Sequence, residues 1–490
     1  MNIEVTKSNI ISSLFWKFME RIGVQGIQFI VSIVLARLLR PEDFGTIVLI
    51  TIFIAISGVL VQGGFNTALI QKKDVDELDY SSVFYLNIIV ASILYIVLFF
   101  TAPFIAAFYE DMQLVLMLRI LSVTLLLAPF SSIQNAVMGK NMQFKKLFLS
   151  SVGALVVSGI TGIVLAISGF GVWALVVSQV INQLMNTFIL WFTVKWRPKL
   201  LFSFERVKSL FSFGWKLLVS SLLDTLYTNL RSLLIGKMFS PAILGFYNKG
   251  EQFPSLFVSN INGSIQSVML PALASNQDNK QRVKEMVRRS IVTSSFIIFP
   301  MMVGLAVIAE PLVKIMLTEK WLPTVPFMLI FCASYALWPI HTANLQAINA
   351  IGRSDIFLKL EIIKKIIGII ILIISIPFGV YTMALGVLIG GIISAFINAY
   401  PNLKLLNYSY LEQWKDISPS LIISLVMGAV VYSLKFLELL PLLNLTLQIS
   451  VGVFVYISLA NIIKLECYTY LQSTGKEFFR RRRRVSYLHK

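Results

Sequence analysis

The sequence predicts an all-α integral membrane protein of about 14 transmembrane helices. It is expected to form two parallel six-helix bundles related by pseudo-twofold symmetry, plus two C-terminal helices. Three observations predict this. Of 490 residues, 57% are hydrophobic and 13% charged, against roughly 25% charged in a soluble domain, and the mean hydropathy is +0.80. The apolar residues fall into runs of about 20, the length that crosses a bilayer as a helix. Landmarks of the first half of the chain return in order in the second. Such a composition leaves almost no residues for an aqueous catalytic domain.

Runs bounded by charges, Pro or Gly mark the helices. The first, 10–37, has acidic and basic residues through its start and no small-residue cleavage site, so it reads as a retained helix and not a signal peptide. Further runs lie at 44–70, 81–107, 113–137, 148–168 and 171–194, then at 209–237, 246–271, 287–309, 324–349, 357–378 and 380–403. Two more, 417–437 and 442–464, complete the set. The domains expected are an N-terminal bundle over 1–200, a C-terminal bundle over 201–405, accessory helices over 406–465 and a polybasic tail over 466–490. The accessory pair either packs or lines a lateral groove for a lipid tail.

An even number of spans leaves both termini on one side. Most of the 42 Lys and Arg fall in segments on that side, including Lys195, Arg197, Lys199, Arg206 and Lys208, and Lys280, Arg282, Lys284, Arg288 and Arg289. The positive-inside rule then places both termini in the cytoplasm. The net charge of +18 is thus mostly topology, and without a basic domain interleaved with aromatics no nucleic-acid partner is expected. The opposite loops, such as 37–44, 108–113 and 168–171, are short, which argues against a membrane polysaccharide polymerase or ligase. Cys332, Cys467, His341 and His489 form no CxxC and no metal-ligand cluster, so neither a disulfide framework nor a metal or other cofactor is expected.

A shift of about 200 residues brings Trp16-Lys17 onto Trp215-Lys216 and RLLRPEDFG (37–45) onto KMFSPAILG (237–245). Downstream, Gly63 faces Gly263, Pro103 faces Pro311, Pro129 faces Pro339, and FGVW (170–173) faces FGVY (378–381). The common order indicates a duplicated six-helix unit. Six is even, so the copies run parallel, and transporters of this kind bind substrate between halves that rock.

The strings LARLLRPEDFG (35–45) and FNTALIQKKD (65–74), with LTEKW (317–321) and NAIGRSD (349–355), carry a resemblance. Over about residues 5–465 the chain resembles the polysaccharide transporters of the multidrug/oligosaccharidyl-lipid/polysaccharide (MOP) flippase superfamily, most like the colanic-acid and teichuronic-acid exporter branch. The resemblance implies the MOP flippase fold in a bacterial plasma membrane. It also implies movement of polyprenyl-diphosphate-linked oligosaccharides from the inner to the outer leaflet for surface polysaccharide synthesis, by alternating access. The partners implied are that lipid-linked oligosaccharide and membrane lipid, with the polymerase and glycosyltransferases of the same pathway, and a monomeric state. Unlike lipid II flippases, the second helix carries no charge between Phe44 and Ile70.

A charge at a helix centre costs about 2.5–3.5 kcal/mol on insertion scales, so intramembrane charges are functional candidates. The first helix offers Lys17, Glu20 and Arg21; its repeat mate offers Lys216, Asp224 and Arg231, which share an arc of about 80°. Arg119 lies in the fourth helix. The cations Lys17, Arg21, Arg119, Lys216 and Arg231 suit a diphosphate. The competing readings are snorkelling for Lys17 and Arg119, and structural pairs for Arg21 with Glu20 and Arg231 with Asp224. Amides Asn66, Gln134, Asn262, Gln266 and Asn344 either meet sugar hydroxyls or join helices. Glu20 or Asp224 would carry a coupling H+ or Na+. A multidrug/cation antiporter is the alternative, but it wants uncompensated carboxylates, whereas five bases here oppose two acids. The tail FFRRRRR (478–484) reads as a stop-transfer flank or a contact for anionic lipid.

Overall fold

The structure, a computed structural model, describes residues 7–437, 439–470 and 472–473; the polybasic stretch 478–484 lies outside them. Contacts divide the chain into an N-terminal unit, Met1–Phe246, and a C-terminal unit, Tyr247–Lys490. The first holds α1 (Lys7–Leu38), α2 (Pro41–Gln62), α3 (Phe65–Gln71), α4 (Glu77–Tyr109), α5 (Gln113–Lys140), α6 (Phe144–Ile167), α7 (Val172–Thr193) and α8 (Phe204–Met238). It also takes the start of α9 (Pro241–Ala274). The second holds the rest of α9, then α10 (Lys280–Val307), α11 (Ala309–Met316), a 3-10 turn (Glu319–Thr324), α12 (Val325–Tyr335), α13 (Trp338–Ala350) and α14 (Ser354–Ser375). It ends with α15 (Val380–Leu406), α16 (Tyr410–Ser433) and α17 (Pro441–Ile462). No strand occurs among the described residues.

Every expected span is helical, and the protein is an all-α, multi-pass membrane protein. Eleven segments among the described residues are long and apolar enough to cross a bilayer. The other three expected positions are filled by α8, α9 and α14, which carry charges within the helix: Lys216, Asp224 and Arg231 in α8, Lys249 and Glu251 in α9, and Lys359, Glu361, Lys364 and Lys365 in α14.

Local chemistry explains where the helices depart from the expected limits. The run 44–70 breaks at Gly63 and Gly64, whose φ values of 54° and 73° suit glycine alone without strain. The run 324–349 breaks after Tyr335, where Pro339 has no N–H for the Tyr335 carbonyl. Several helices start earlier than expected; in α4, α8, α10 and α16 a capped turn extends the helix beyond its apolar part. Asn279 Oδ1 accepts from the Arg282 N–H at 3.0 Å, so Lys280, Arg282, Lys284, Arg288 and Arg289 lie on α10 and not in a loop. Ser203 caps α8 in the same way, accepting from the Arg206 N–H at 3.4 Å. The segment between α10 and α12 is longer than the short loop expected, and folds as α11 and the 3-10 turn around the fully buried Trp321.

The contact boundary also falls later than residue 200. Helix α8, by sequence the first of the second repeat, packs on α2, α3 and α4. Glycines permit that fit: a Cβ on Gly64 would lie 2.3 Å from the Gly214 carbonyl oxygen, and one on Gly236 would lie 2.3 Å from Leu49 Cδ2. The repeated motifs themselves meet. A Cβ on Gly45 would fall 1.7 Å from the Pro241 carbonyl oxygen, and one on Gly245 would fall 2.3 Å from that of Pro41. Such reciprocity is what two copies of one motif give across a local twofold.

Candidate functional site

The candidate charges are placed by three helices. On α1, Lys17 Nζ lies 2.6 Å from Glu20 Oε2 and 5.2 Å from the centre of the Phe144 ring. That cation and that carboxylate therefore neutralise each other. Arg21, on the next position, is exposed. On α8, Lys216 and Asp224 are exposed, while Arg231 is partly buried with its Nε lacking a hydrogen-bond acceptor. Arg119 on α5 instead points to α4, donating from Nε to the Phe99 carbonyl at 3.1 Å.

The amides divide more sharply. Asn344 is fully buried and joins three helices: its Nδ2 donates to Gln413 Oε1 at 2.8 Å, Gln413 Nε2 donates back to Asn344 Oδ1 at 3.1 Å, and Asn402 Nδ2 donates to that same oxygen at 2.6 Å. These bonds clasp α13, α15 and α16. Asn66 Oδ1 accepts from the Ser132 hydroxyl at 2.8 Å, tying α3 to α5. Gln134 and Asn262 are buried with neither amide atom paired. Gln266 is exposed.

The FNTALIQKKD string has a structural role. Lys72 Nζ lies 2.6 Å from Oδ2 of Asp79, a fully buried carboxylate on α4, and Lys140 Nζ donates to the Lys72 carbonyl at 2.6 Å. Arg206 completes the knot, with NH2 3.2 Å from Asp76 Oδ2. The backbone N–H of Asp79 and the cationic Arg206 hold the Asp76 carboxyl below its ordinary range. A second knot joins α10, α16 and the segment after α17. Arg288 Nε is 3.0 Å from Asp416 Oδ1, and its two terminal nitrogens donate to Glu466 at 2.9 and 2.7 Å.

Two charges escape the sequence reading. Lys249 on α9 is 5% exposed, donating to Gln252 Oε1 at 3.0 Å with its Nζ 6.0 Å from the Trp321 ring centre. Glu251 accepts from the Tyr335 hydroxyl at 2.9 Å. Their signal is a Lys and a Glu within three turns of the start of an apolar run, which is easily read as a span flank.

Two cavities stand out. In the C-terminal unit a groove of about 440 Å³ is walled by α9, α10, α16 and α17, and Gln448 and Tyr456 are the polar side chains in an otherwise apolar lining. The accessory helices thus line a groove as well as pack. In the N-terminal unit a cavity of about 520 Å³ lies among α1, α2, α5, α6 and α7. Its polar side chains are amides and hydroxyls, and none of its lining residues is charged. Among the described residues no three His, Cys, Asp or Glu side chains gather as metal ligands.

A sequence model of the family described as polysaccharide biosynthesis protein matches residues 34–326. The chain is 29% identical over 301 residues to the teichuronic acid biosynthesis protein TuaB of Bacillus subtilis (strain 168), an alignment spanning 61% of this chain and 62% of that one, somewhat under two thirds. It is 21% identical to the succinoglycan biosynthesis transport protein ExoT of Rhizobium meliloti (strain 1021), over 75% of this chain and 74% of that one. Among solved structures, the lipid II flippase MurJ in an inward closed conformation superposes with a TM-score of 0.76 at 18% identity, covering 92% of this chain and 98% of that one. That likeness establishes the fold.

Proposed function

The chain belongs to the polysaccharide biosynthesis protein family, and from that membership we propose that it flips polyprenyl-diphosphate-linked oligosaccharides from the inner to the outer leaflet of a bacterial plasma membrane. It is a transporter and not an enzyme: one relative is named a transport protein, and the fold is one shared by a lipid II flippase and a multidrug transporter. The observation that carries the cargo class is the apolar groove on α10, α16 and α17. Two helices outside the expected twelve-helix repeat give it much of its wall, and a groove lined almost wholly by hydrocarbon suits a polyprenyl chain that stays in the lipid phase while its head group crosses.

The head group needs cations and hydrogen-bonding groups. Lys17 is paired with Glu20, and Arg231 keeps an unused Nε donor, so Arg231 is assigned first to the diphosphate, with Arg21 and Lys216 adding positive charge. Guanidinium groups match phosphate oxygens bidentately. With both termini cytoplasmic, export moves negative charge outward across an inside-negative membrane, which is downhill by about 2.3 kcal/mol per charge per 100 mV. A coupled H+ or Na+ on Asp224 or Glu20 would add to this drive. A multidrug antiporter is disfavoured because no carboxylate lines either cavity.

Deleting the gene and measuring polyprenyl-diphosphate saccharides in lipid extracts tests the reading. Accumulated complete repeat units with loss of surface polymer, restored by the wild type and not by a membrane-inserted Arg231→Ala variant, support it. Unchanged intermediates together with new sensitivity to cationic drugs overturn it in favour of the antiporter.

A further inference from the structure

We infer that the cavity inside the N-terminal unit is a binding site for neutral saccharide, and that it admits the sugar portion of the cargo while refusing its phosphates. The assignment rests on the flippase reading for the identity of the cargo; the choice of sugar over phosphate rests on the cavity alone.

The helical register builds the site. Gln28 and Ser32 stand one turn apart on α1, as do Ser178 and Asn182, and Gln179 and Gln183, on α7, so each helix turns a polar stripe toward the same space. Close packing of α6 brings these stripes together: a Cβ on Gly159 would lie 2.8 Å from Val31 Cγ2 of α1, and one on Gly162 would lie 3.0 Å from Ser178 Cβ of α7. Two of the amides are partly used. Asn182 Nδ2 donates to Ser158 Oγ at 3.1 Å, and Gln183 Nε2 donates to Ser131 Oγ at 3.2 Å, which fixes their side chains and leaves both carbonyl oxygens unspent by those bonds. The side chains of Gln28 and Gln179 form no hydrogen bond with any described residue.

The chemistry selects the ligand. Unpaired amides within a membrane-spanning bundle are costly unless something polar meets them. An amide offers both donors and acceptors, and so does a hydroxyl, so a polyhydroxylated molecule can satisfy the set without any formal charge. A diphosphate would find donors there but no cation, and a buried unpaired charge is strongly disfavoured. An organic cation would find no carboxylate. At about 520 Å³ the cavity lies within the usual range of small-molecule sites.

The test uses the full chain in lipid nanodiscs. Both native cysteines, Cys332 and Cys467, are buried and are replaced by alanine; Ser178→Cys then places a thiol in the cavity. Its alkylation by a small neutral maleimide is timed with no addition, with undecaprenyl diphosphate bearing a neutral trisaccharide, and with bare undecaprenyl diphosphate. The expected result is reaction in the unliganded protein, slowed at least about tenfold by the saccharide lipid and unchanged by the bare lipid. Gln179→Leu should weaken that protection by about tenfold, the effect of one lost hydrogen bond in a site of this kind. Equal protection by both lipids, or protection by neither while vesicles still transport the saccharide lipid, overturns the saccharide site and leaves the flippase standing. Absence of both protection and transport in a folded protein overturns the two together.

Discussion

Arg119 donates its Nε–H to the carbonyl oxygen of Phe99 at 3.1 Å, and its guanidinium carbon sits 4.0 Å from the centre of the Phe99 ring. Pro103, four residues further along α4, has no N–H to give that carbonyl. A side chain from α5 therefore supplies the donor that the proline withholds. The same substitution of donors recurs in the C-terminal unit, where the Tyr456 hydroxyl donates to the Phe296 carbonyl at 2.7 Å, four residues before Pro300.

Arg119→Leu should destabilise the protein by about 1–3 kcal/mol, the cost of an unmet buried carbonyl. In a Pro103→Ala background, where the helix regains its own N–H, the loss should shrink by about 1 kcal/mol. Thermal unfolding of the two singles and the double measures it. Transport by the double variant separates a structural arginine from a cargo-binding one: retained transport identifies the former, and loss of transport despite restored stability identifies the latter.

Lys72→Ala leaves the fully buried Asp79 carboxylate with Arg206 NH1 at 3.7 Å as its nearest cation. Removing one member of a buried pair costs about 3–5 kcal/mol. A lowered melting temperature, partly recovered by Asp79→Asn in the same chain, is the expected outcome.

Acid should loosen the clasp near the start of α10. The Arg288 guanidinium holds the Glu466 carboxyl below its ordinary value of 4.5. A folded-state pKa below the unfolded one gives stability that is present above about pH 4.5 and is lost as pH falls through the folded value. The melting-temperature difference between wild type and Glu466→Gln should therefore be constant near neutrality and vanish in acid.

Gly45→Ala should abolish folding, because its Cβ would sit 1.7 Å from the Pro241 carbonyl oxygen. Gly58→Ala is the matched control: a Cβ there meets nothing within 4 Å, and alanine favours a helix by roughly 0.5–1 kcal/mol over glycine. Yield of monodisperse protein in detergent distinguishes the two.

The fold was legible because burial in lipid demands long apolar runs, and the run from Phe65 back to Phe44 or from Val380 to Leu406 announces itself without any tertiary information. Helix ends were less legible, since Asn279 and Ser203 extend helices through charged residues that hydropathy assigns to loops. Individual site residues were least legible. Asn344 and Asn66 stand out as amides in apolar runs, but the sequence cannot say that Gln413 and Ser132 stand opposite to occupy them. Gln28 and Ser32 share a face of α1 by their spacing, but that face became a cavity wall only once α7 was brought beside it.

The placement of α8 has a consequence for how the chain is made. A ribosome delivers about 5–20 residues per second, so α1 to α7, ending at Thr193, must wait roughly 3–10 s for the rest of the N-terminal unit, through Phe246, to emerge. During that interval the surfaces of α2 and α3 that later receive α8 lie open in the bilayer. The repeat expected from the sequence begins again near residue 200, whereas the N-terminal unit closes some 46 residues later at Phe246, so a nascent chain holding only the first copy lacks the helix that packs on α2, α3 and α4.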